Sequence, residues 1–100
     1  MLIKKHLTSE NKLMIAVCDT ELFGKVFEEG ELQLNCSSDF YNGEESDENT
    51  LKELVNQCVN ANIVGEKSIA AVKALGFLKD ANIKTIDNIP YAQFFKMVAK

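Results

Sequence analysis

The sequence contains no arginine and no tryptophan, and it has only one proline and one histidine. All eleven basic residues are lysines, so the chain cannot make the planar bidentate contacts with which arginine reads guanine edges or grips phosphate groups. This absence argues against sequence-specific DNA binding and against phosphoryl transfer with an arginine finger. The single histidine, His6, and three separated cysteines do not form the close ligand cluster that zinc requires. We therefore expect no metal site and no cofactor.

Long apolar runs are also missing. The longest run covers residues 13–18, which is far too short to span a bilayer. The N-terminus lacks the apolar core and small-residue cleavage site of a signal peptide. The cysteines Cys18, Cys36 and Cys58 lie within apolar patterns, which favours buried free thiols over disulfides. We expect a cytoplasmic protein that does not associate with membranes.

Charge is distributed unevenly along a chain whose net charge is −4. Residues 19–53 contain eleven acidic residues and two lysines, whereas the rest of the chain contains four acidic residues and nine lysines. Two interpretations remain open. The surface is either ordinary and solvated, with uneven loops, or it carries a basic face that meets an acidic partner or RNA.

The length predicts a single globular domain over residues 1–100, and the clearest pattern within it is a first helix. Thr50 and Glu53 have the spacing of a capping box, which predicts a helix at 51–59. Apolar side chains at positions 51, 54, 55, 58 and 59 would form one stripe on this helix. That stripe requires a partner surface.

A second helix is predicted over residues 66–75. Gly76 would end it in the left-handed conformation, and Phe77 would contact Val72 as in a Schellman motif. The sequence between the helices, residues 60–65, is interpreted as a short exposed link. Two helices joined by a glycine-containing link also resemble a helix-turn-helix, although this link is longer than that motif's tight turn.

The remaining patterns predict strands and turns. The continuously apolar run at 13–18 indicates a strand covered on both faces, and Pro90 indicates a turn, because proline cannot donate to a strand ladder. The expected fold is α+β, a two-layer α/β arrangement with a mixed sheet of about five strands and two main helices on one face. The predicted strands are residues 2–7, 13–18, 31–36, 83–86 and 92–98.

A nucleophilic dyad would require His6 beside a cysteine. If the first hairpin closes with Thr8 opposite Leu13, then His6 lies opposite Ile15. At ~3.3 Å per residue, His6 would be roughly 10 Å from the level of Cys18, which is too far for a hydrogen bond. We therefore predict a surface or edge-strand histidine and name no catalytic residue.

The start of the second helix is the best local candidate for a ligand site. The free N–H groups of Glu66, Lys67 and Ser68 would point at one spot, and Gly65 would let a phosphate approach closely. The Glu66 carboxylate opposes an anion there. An ordinary N-cap role for Gly65 is the alternative.

Three segments resemble the signature segments of a small archaeal protein family, domain of unknown function 424. They are AVCDTELFGKVFEEGELQL at 16–34, ANIVGEKSIAAVKALGF at 61–77 and NIPYAQ at 88–93. The resemblance implies an archaeal cytosolic α/β domain of about this length, without an assigned activity. It also directs attention to residues 62–67 and 90–93 as a shared surface.

The favoured function is a non-enzymatic binding or adaptor module with an unknown protein partner; whether it has enzymatic activity is left open. One alternative is an RNA- or ribosome-associated protein that uses a lysine-rich face, namely Lys4, Lys5, Lys67, Lys73, Lys79 and Lys84. Another is an enzyme acting on a phosphorylated or acidic metabolite at the Gly65 turn. The predicted binding residues are Asn62, Gly65, Glu66, Lys67, Pro90, Tyr91 and Gln93.

Overall fold

A computed structural model describes residues 1–96, which form a six-stranded mixed sheet with two helices on one face. The helices are α1 (Glu48–Gln57) and α2 (Glu66–Ala74), and neither is long and apolar enough to cross a membrane. The strands of this sheet are β1 (Leu2–Leu7), β2 (Leu13–Cys18), β5 (Glu44–Glu45), β6 (Asn60–Val64), β7 (Lys84–Ile86) and β8 (Ile89–Phe95).

The sheet has the strand order β5-β1-β2-β6-β8-β7. Strand β2 lies inside the sheet, as its uninterrupted apolar sequence predicts, and pairs with β1 in an antiparallel and β6 in a parallel direction. A parallel pair requires a long crossover, and the chain between β2 and β6 includes α1. The predicted α+β class with a mixed sheet is confirmed.

The first helix begins three residues before the predicted position. Asp47 is the N-cap, and its Oδ1 accepts a hydrogen bond from the Thr50 backbone N–H at 2.9 Å. The predicted cap, Thr50, is therefore already inside the helix. The buried face is as expected, because Leu51 and Val55 are inaccessible to solvent. The helix ends at Gln57, so the predicted bounds of 51–59 are wrong at both ends.

The second helix ends in the predicted Schellman motif. Gly76 has a φ of 89°, its N–H donates to the Lys73 carbonyl at 2.9 Å, and the Phe77 N–H donates to the Val72 carbonyl at 3.5 Å. These two bonds satisfy carbonyl groups that the last helical turn leaves without partners.

The predicted link between the helices is wrong, because it is the central strand β6. Ala61 and Ile63 are buried on the side of the sheet that carries the helices, while Asn60 and Asn62 project from the other side. This alternation has the period of two that a strand imposes. Because a strand separates α1 from α2, the resemblance to a helix-turn-helix is also wrong.

The last strand begins earlier than predicted, and it contains Pro90. The turn is formed instead by Asp87 and Asn88, which have φ angles of 51° and 64°. Pro90 uses its carbonyl to accept the Gly65 N–H at 2.8 Å, and the Gly65 carbonyl accepts the Ile69 N–H at 2.9 Å. The Gly65 carbonyl thus already has a donor, so it does not need the N–H that proline lacks. Two of the predicted strand positions, 97 and 98, lie outside the described residues.

The predicted strand at 31–36 belongs to a separate hairpin and not to the main sheet. Strand β4 (Leu32–Asn35) pairs with β3 (Val26–Glu29), and this hairpin packs on part of the face opposite the helices. Alternation in a sequence indicates that one face is covered, but it does not indicate which sheet the strand joins. Buried residues at this second interface are Cys18, Leu34, Cys36, Val64 and Ile86.

Candidate functional site

The seven predicted binding residues do not form one surface. Gly65 is buried, and the other six divide between two depressions. Glu66, Lys67 and Pro90 line a depression of about 370 Å³ beside the start of α2. The remaining three, Asn62, Tyr91 and Gln93, line a groove of about 300 Å³ on the sheet face opposite the helices.

The start of α2 is capped by Asp19, which lies directly after strand β2. Its carboxylate accepts the Lys67 N–H at 3.1 Å, the Ser68 N–H at 2.7 Å and the Ser68 hydroxyl at 2.7 Å. Asp19 is 5% exposed and Ser68 is fully buried. A carboxylate from another part of the chain thus performs the capping that the side chain of an N-cap residue usually performs.

This cap opposes the candidate anion site at the same helix start. The N–H groups of Lys67 and Ser68 that were expected to bind a phosphate already donate to Asp19. The Lys67 ammonium is paired with Glu21 at 3.1 Å, and this hydrogen bond raises the pKa of Lys67. With Glu66 also lining the depression, an anionic ligand would meet three carboxylates.

Gly65 is required by this cap. Its φ of 107° is strained for any residue with a Cβ. A Cβ at this position would also lie 2.7 Å from the Asp19 Cβ and overlap the Asp19 carboxyl group. The space that Gly65 leaves open is therefore filled by the Asp19 carboxylate and not by the phosphate group of a ligand.

His6 is held in a structural contact. The hairpin closes with Leu7 opposite Leu13, so His6 lies opposite Met14 and the predicted register is wrong by one residue. The His6 Nε2 lies 3.0 Å from the Phe40 carbonyl oxygen, and the two rings stack at 4.6 Å. This packing fixes the 3₁₀ turn Asp39–Tyr41 over the sheet.

Two thiols lie side by side under that turn. Cys18 and Cys36 are both fully buried and unpaired by disulfide, as predicted. The Cys18 thiol donates to the Asp19 carbonyl at 3.3 Å, and the neighbouring Cys36 thiol and burial raise the pKa of Cys18. Burial and the two neighbouring thiols raise the pKa of Tyr41 to about 12. At neutral pH, Tyr41 therefore keeps its phenolic proton and can donate a hydrogen bond.

The open part of the second sheet face presents polar and aromatic side chains in rows across the strands. Side chains in one row belong to paired residues about 5 Å apart, and successive rows are separated by two residues, or roughly 6.7 Å. Starting nearest the β3–β4 hairpin, the first row contains Val64, Tyr91 and Lys84, the second contains Asn62 and Gln93, and the third contains Asn60 and Phe95.

The first two rows form the 300 Å³ groove, which we call the amide groove. Within residues 1–96, the Asn62 amide, the Tyr91 hydroxyl and the Lys84 ammonium make no hydrogen bond to the protein. None of the described residues that line it is a histidine, a cysteine or an acidic residue. The polar side chains that define it are Tyr41, Asn62, Asn82, Lys84, Tyr91 and Gln93.

A second depression of about 300 Å³ lies next to the amide groove along β8. The Gln93 amide donates to the Asn60 Oδ1 at 3.4 Å, and Asn60 lines this second depression together with Phe95 and Lys12. Phe95 is 72% exposed, which is high for a large apolar side chain on a sheet. We call this depression the Phe95 shelf.

The six lysines of the RNA alternative do not form one face. Lys67 and Lys73 lie on α2 and are paired with Glu21 and Asp80. Of the others, Lys84 projects into the amide groove on the opposite side of the molecule. Among residues 1–96, no group of three or more histidine, cysteine or acidic side chains could hold a metal ion.

Several residues at the start of α2 and on the open sheet face were not predicted from the sequence. Asp19 could have been found, because an acidic residue directly after a buried strand often caps a neighbouring helix and because Gly65 offers no capping side chain. Asn60 could have been found from the alternation within β6. Tyr41, Asn82 and Phe95 carried no usable signal, because only the tertiary fold brings them to the same sheet face.

Comparisons with known proteins identify the fold and the family. No curated protein matches the chain. A solved structure described as an uncharacterized conserved protein from Methanopyrus kandleri is 21% identical and has a TM-score of 0.83. The alignment covers 99% of this chain and 93% of that one, so the two share a fold. The resemblance noted from the sequence is confirmed: a family model described as "Protein of unknown function (DUF424)" matches residues 6–97, and the chain belongs to that family.

Proposed function

We propose that the protein is a non-enzymatic binding module of the cytosol and that the amide groove is its binding site. One observation carries the proposal. Among residues 1–96, the groove combines three side-chain amides, two phenols and one ammonium, and none of these residues contributes a carboxylate, imidazole or thiol to its lining. Such groups orient a polar ligand by hydrogen bonding, whereas acid–base or nucleophilic catalysis usually requires groups that ionise near neutral pH.

The shape of the site supports this assignment. A volume of about 300 Å³ lies at the lower end of the range for small-ligand sites. The floor is formed by Ile63, Val64 and Ala92, which are buried strand residues, so the groove is rigid and largely preformed. Rigid placement reduces the entropy lost when a ligand binds.

The free thiols support a cytosolic location, and the enzymatic and protein-partner alternatives fit the structure less well. Three buried free cysteines suit a reducing compartment. Two of the three backbone donors of the rival enzymatic function at the Gly65 turn, the N–H groups of Lys67 and Ser68, already donate to Asp19. A protein partner that meets residues 62–67 and 90–93 as one surface would have to bridge two depressions.

Side-chain amide resonances provide a direct test. We would titrate ¹⁵N-labelled protein at millimolar concentrations with four probes: adenosine monophosphate, uridine monophosphate, glucose and capped tetra-alanine. We expect at least one probe to shift the Asn62 and Gln93 side-chain signals saturably. Asn62→Ala should abolish the response, while the matched control Asn56→Ala, an exposed site on α1, should preserve it. Failure of every probe to move these signals would refute the proposal.

A further inference from the structure

We propose that the ligand of the amide groove is single-stranded RNA, which also covers the Phe95 shelf. This inference rests on the proposed function and adds the class of ligand. It is carried by the adjacency of the two depressions, whose lining residues Gln93 and Asn60 are hydrogen-bonded to each other, and by the chemistry of the side chains that line them.

The hydrogen-bonding groups match exposed nucleobases. Asparagine and glutamine amides offer a donor and an acceptor side by side, as base edges do. Asn62 and Gln93 lie opposite each other on paired strands. One N–H of the Gln93 amide donates to Asn60, so its Oε1 and second N–H are left to meet a base together with the Asn62 amide. Bases of single-stranded RNA are free to present these edges, whereas those of a duplex are not.

Aromatic side chains lie at both ends: Tyr91 is half-buried against the second interface, and Phe95 is exposed. Tyr91 and Phe95 are four residues apart on the same face of β8, a separation of about 13 Å along the strand. This distance exceeds the size of one base, so an extended strand fits the two surfaces better than a free nucleotide does. The exposure of Phe95 has no packing function within residues 1–96, and stacking on bases would explain it.

The two depressions have few charged side chains, and the lysines among them have the sign that attracts phosphate groups. Lys84 lines the amide groove and Lys12 lines the Phe95 shelf, and neither is paired with a carboxylate in the described part of the chain. Glu10 also lines the shelf and opposes a phosphate there. The neutral hydroxyl and amide groups outnumber the cations, and the ribose 2′-hydroxyl is a donor and acceptor that they can bind. This balance favours RNA over DNA.

Fluorescence anisotropy with labelled oligouridine and oligoadenosine tests the inference. Two phosphate contacts predict a slope of about −1.4 for log affinity against log salt, or about sevenfold weaker binding between 50 and 200 mM. Phe95→Ala should weaken binding at least about fivefold through lost stacking. Lys84→Gln should reduce the slope by about 0.7.

Matched variants control for general effects of substitution. Leu32→Ala removes another exposed apolar side chain, 56% exposed on the β3–β4 hairpin, and should leave affinity unchanged. Lys52→Gln removes an exposed lysine of α1 and should leave the slope unchanged.

Four results would overturn the inference. They are no binding of either RNA, binding that Phe95→Ala and Lys84→Gln leave unaltered, equal or tighter binding of DNA of the same sequence, and mononucleotide affinity equal to that of the oligonucleotide. If RNA fails while one of the four small probes still shifts the Asn62 and Gln93 signals, the RNA inference falls and the binding site stands. If neither RNA nor any probe binds there, both fall.

Discussion

Replacement of Asp19 by alanine should destabilise the protein more than replacement of any other residue that lines the depressions described above. The substitution removes the acceptor of three hydrogen bonds to Lys67 and Ser68. Loss of an N-cap costs about 0.5–2 kcal/mol, and a buried donor left without an acceptor costs about 1–3 kcal/mol. Because Ser68 is fully buried, both costs apply. We expect the free energy of unfolding to fall by about 2–4 kcal/mol.

Urea unfolding followed by circular dichroism measures this loss. The midpoint should fall with an unchanged m value, and the thermal midpoint should fall by about 4–8 °C per kcal/mol for a domain of this size. Asp19→Asn should cost less than Asp19→Ala, because an amide oxygen still accepts hydrogen bonds. Glu21→Ala, which removes only the exposed partner of Lys67, should change stability little.

A double-mutant cycle isolates the interaction itself. Combining Asp19→Ala with Ser68→Ala removes a donor together with its acceptor, so the double variant should be more stable than the sum of the single losses predicts, by about 0.5–3 kcal/mol. If Asp19→Ala costs less than about 1 kcal/mol, or no more than Glu21→Ala, the helix is not held by this carboxylate and the reasoning is refuted.

Gly65→Ala should destabilise the protein more than Gly76→Ala in urea unfolding. Both glycines have a positive φ, but only a Cβ at position 65 would collide with Asp19. Equal losses of stability would show that the collision is relieved. The N–H groups at the start of α1 hold the pKa of Asp47 below its usual 3.8, so its charge contributes stability above pH 3.8 that is lost as the pH falls through the lower folded value. The difference in urea midpoint between wild type and Asp47→Asn should therefore shrink in acid, and a difference independent of pH would contradict this. All three cysteines should resist a thiol reagent such as DTNB in the folded protein and react together in denaturant; rapid labelling of any one would show that it is accessible.

The helices and the first hairpin were predictable because several local signals agree there. The predicted start of α1 was wrong by three residues. Asp47 and Thr50 are both good N-caps, and each is followed three residues later by a polar residue, Thr50 and Glu53 respectively. The sequence cannot rank two such candidates, because the choice depends on where the helix packs. The left-handed Gly76 had no competitor, so the Schellman motif that ends α2 was predicted correctly, although the helix ends at Ala74 and not at residue 75.

The central strand was missed because its neighbours in sequence are helices and its length is only five residues. The alternation of Asn60, Ala61, Asn62 and Ile63 is present in the sequence, but a short link is equally consistent with it. Pro90 misled in a different way. Its missing N–H matters only if a partner carbonyl needs it, and that carbonyl, of Gly65, is used by α2. Long-range pairing of this kind determined the position of the amide groove and could not be predicted from local patterns.

The lengths of the sheet's border strands determine how the molecule can associate. Strand β5 contains two residues and β7 contains three, whereas the four inner strands contain five to seven. Because β5 pairs only with Leu2 and Ile3, and β7 pairs only with residues 89–91, residues 4–7 of β1 and 92–95 of β8 have no partner strand on their outer sides within residues 1–96. Each of these stretches is four residues long and offers backbone groups with which an added strand could pair. The main sheet can therefore meet another chain along these two edges as well as through its broad surface.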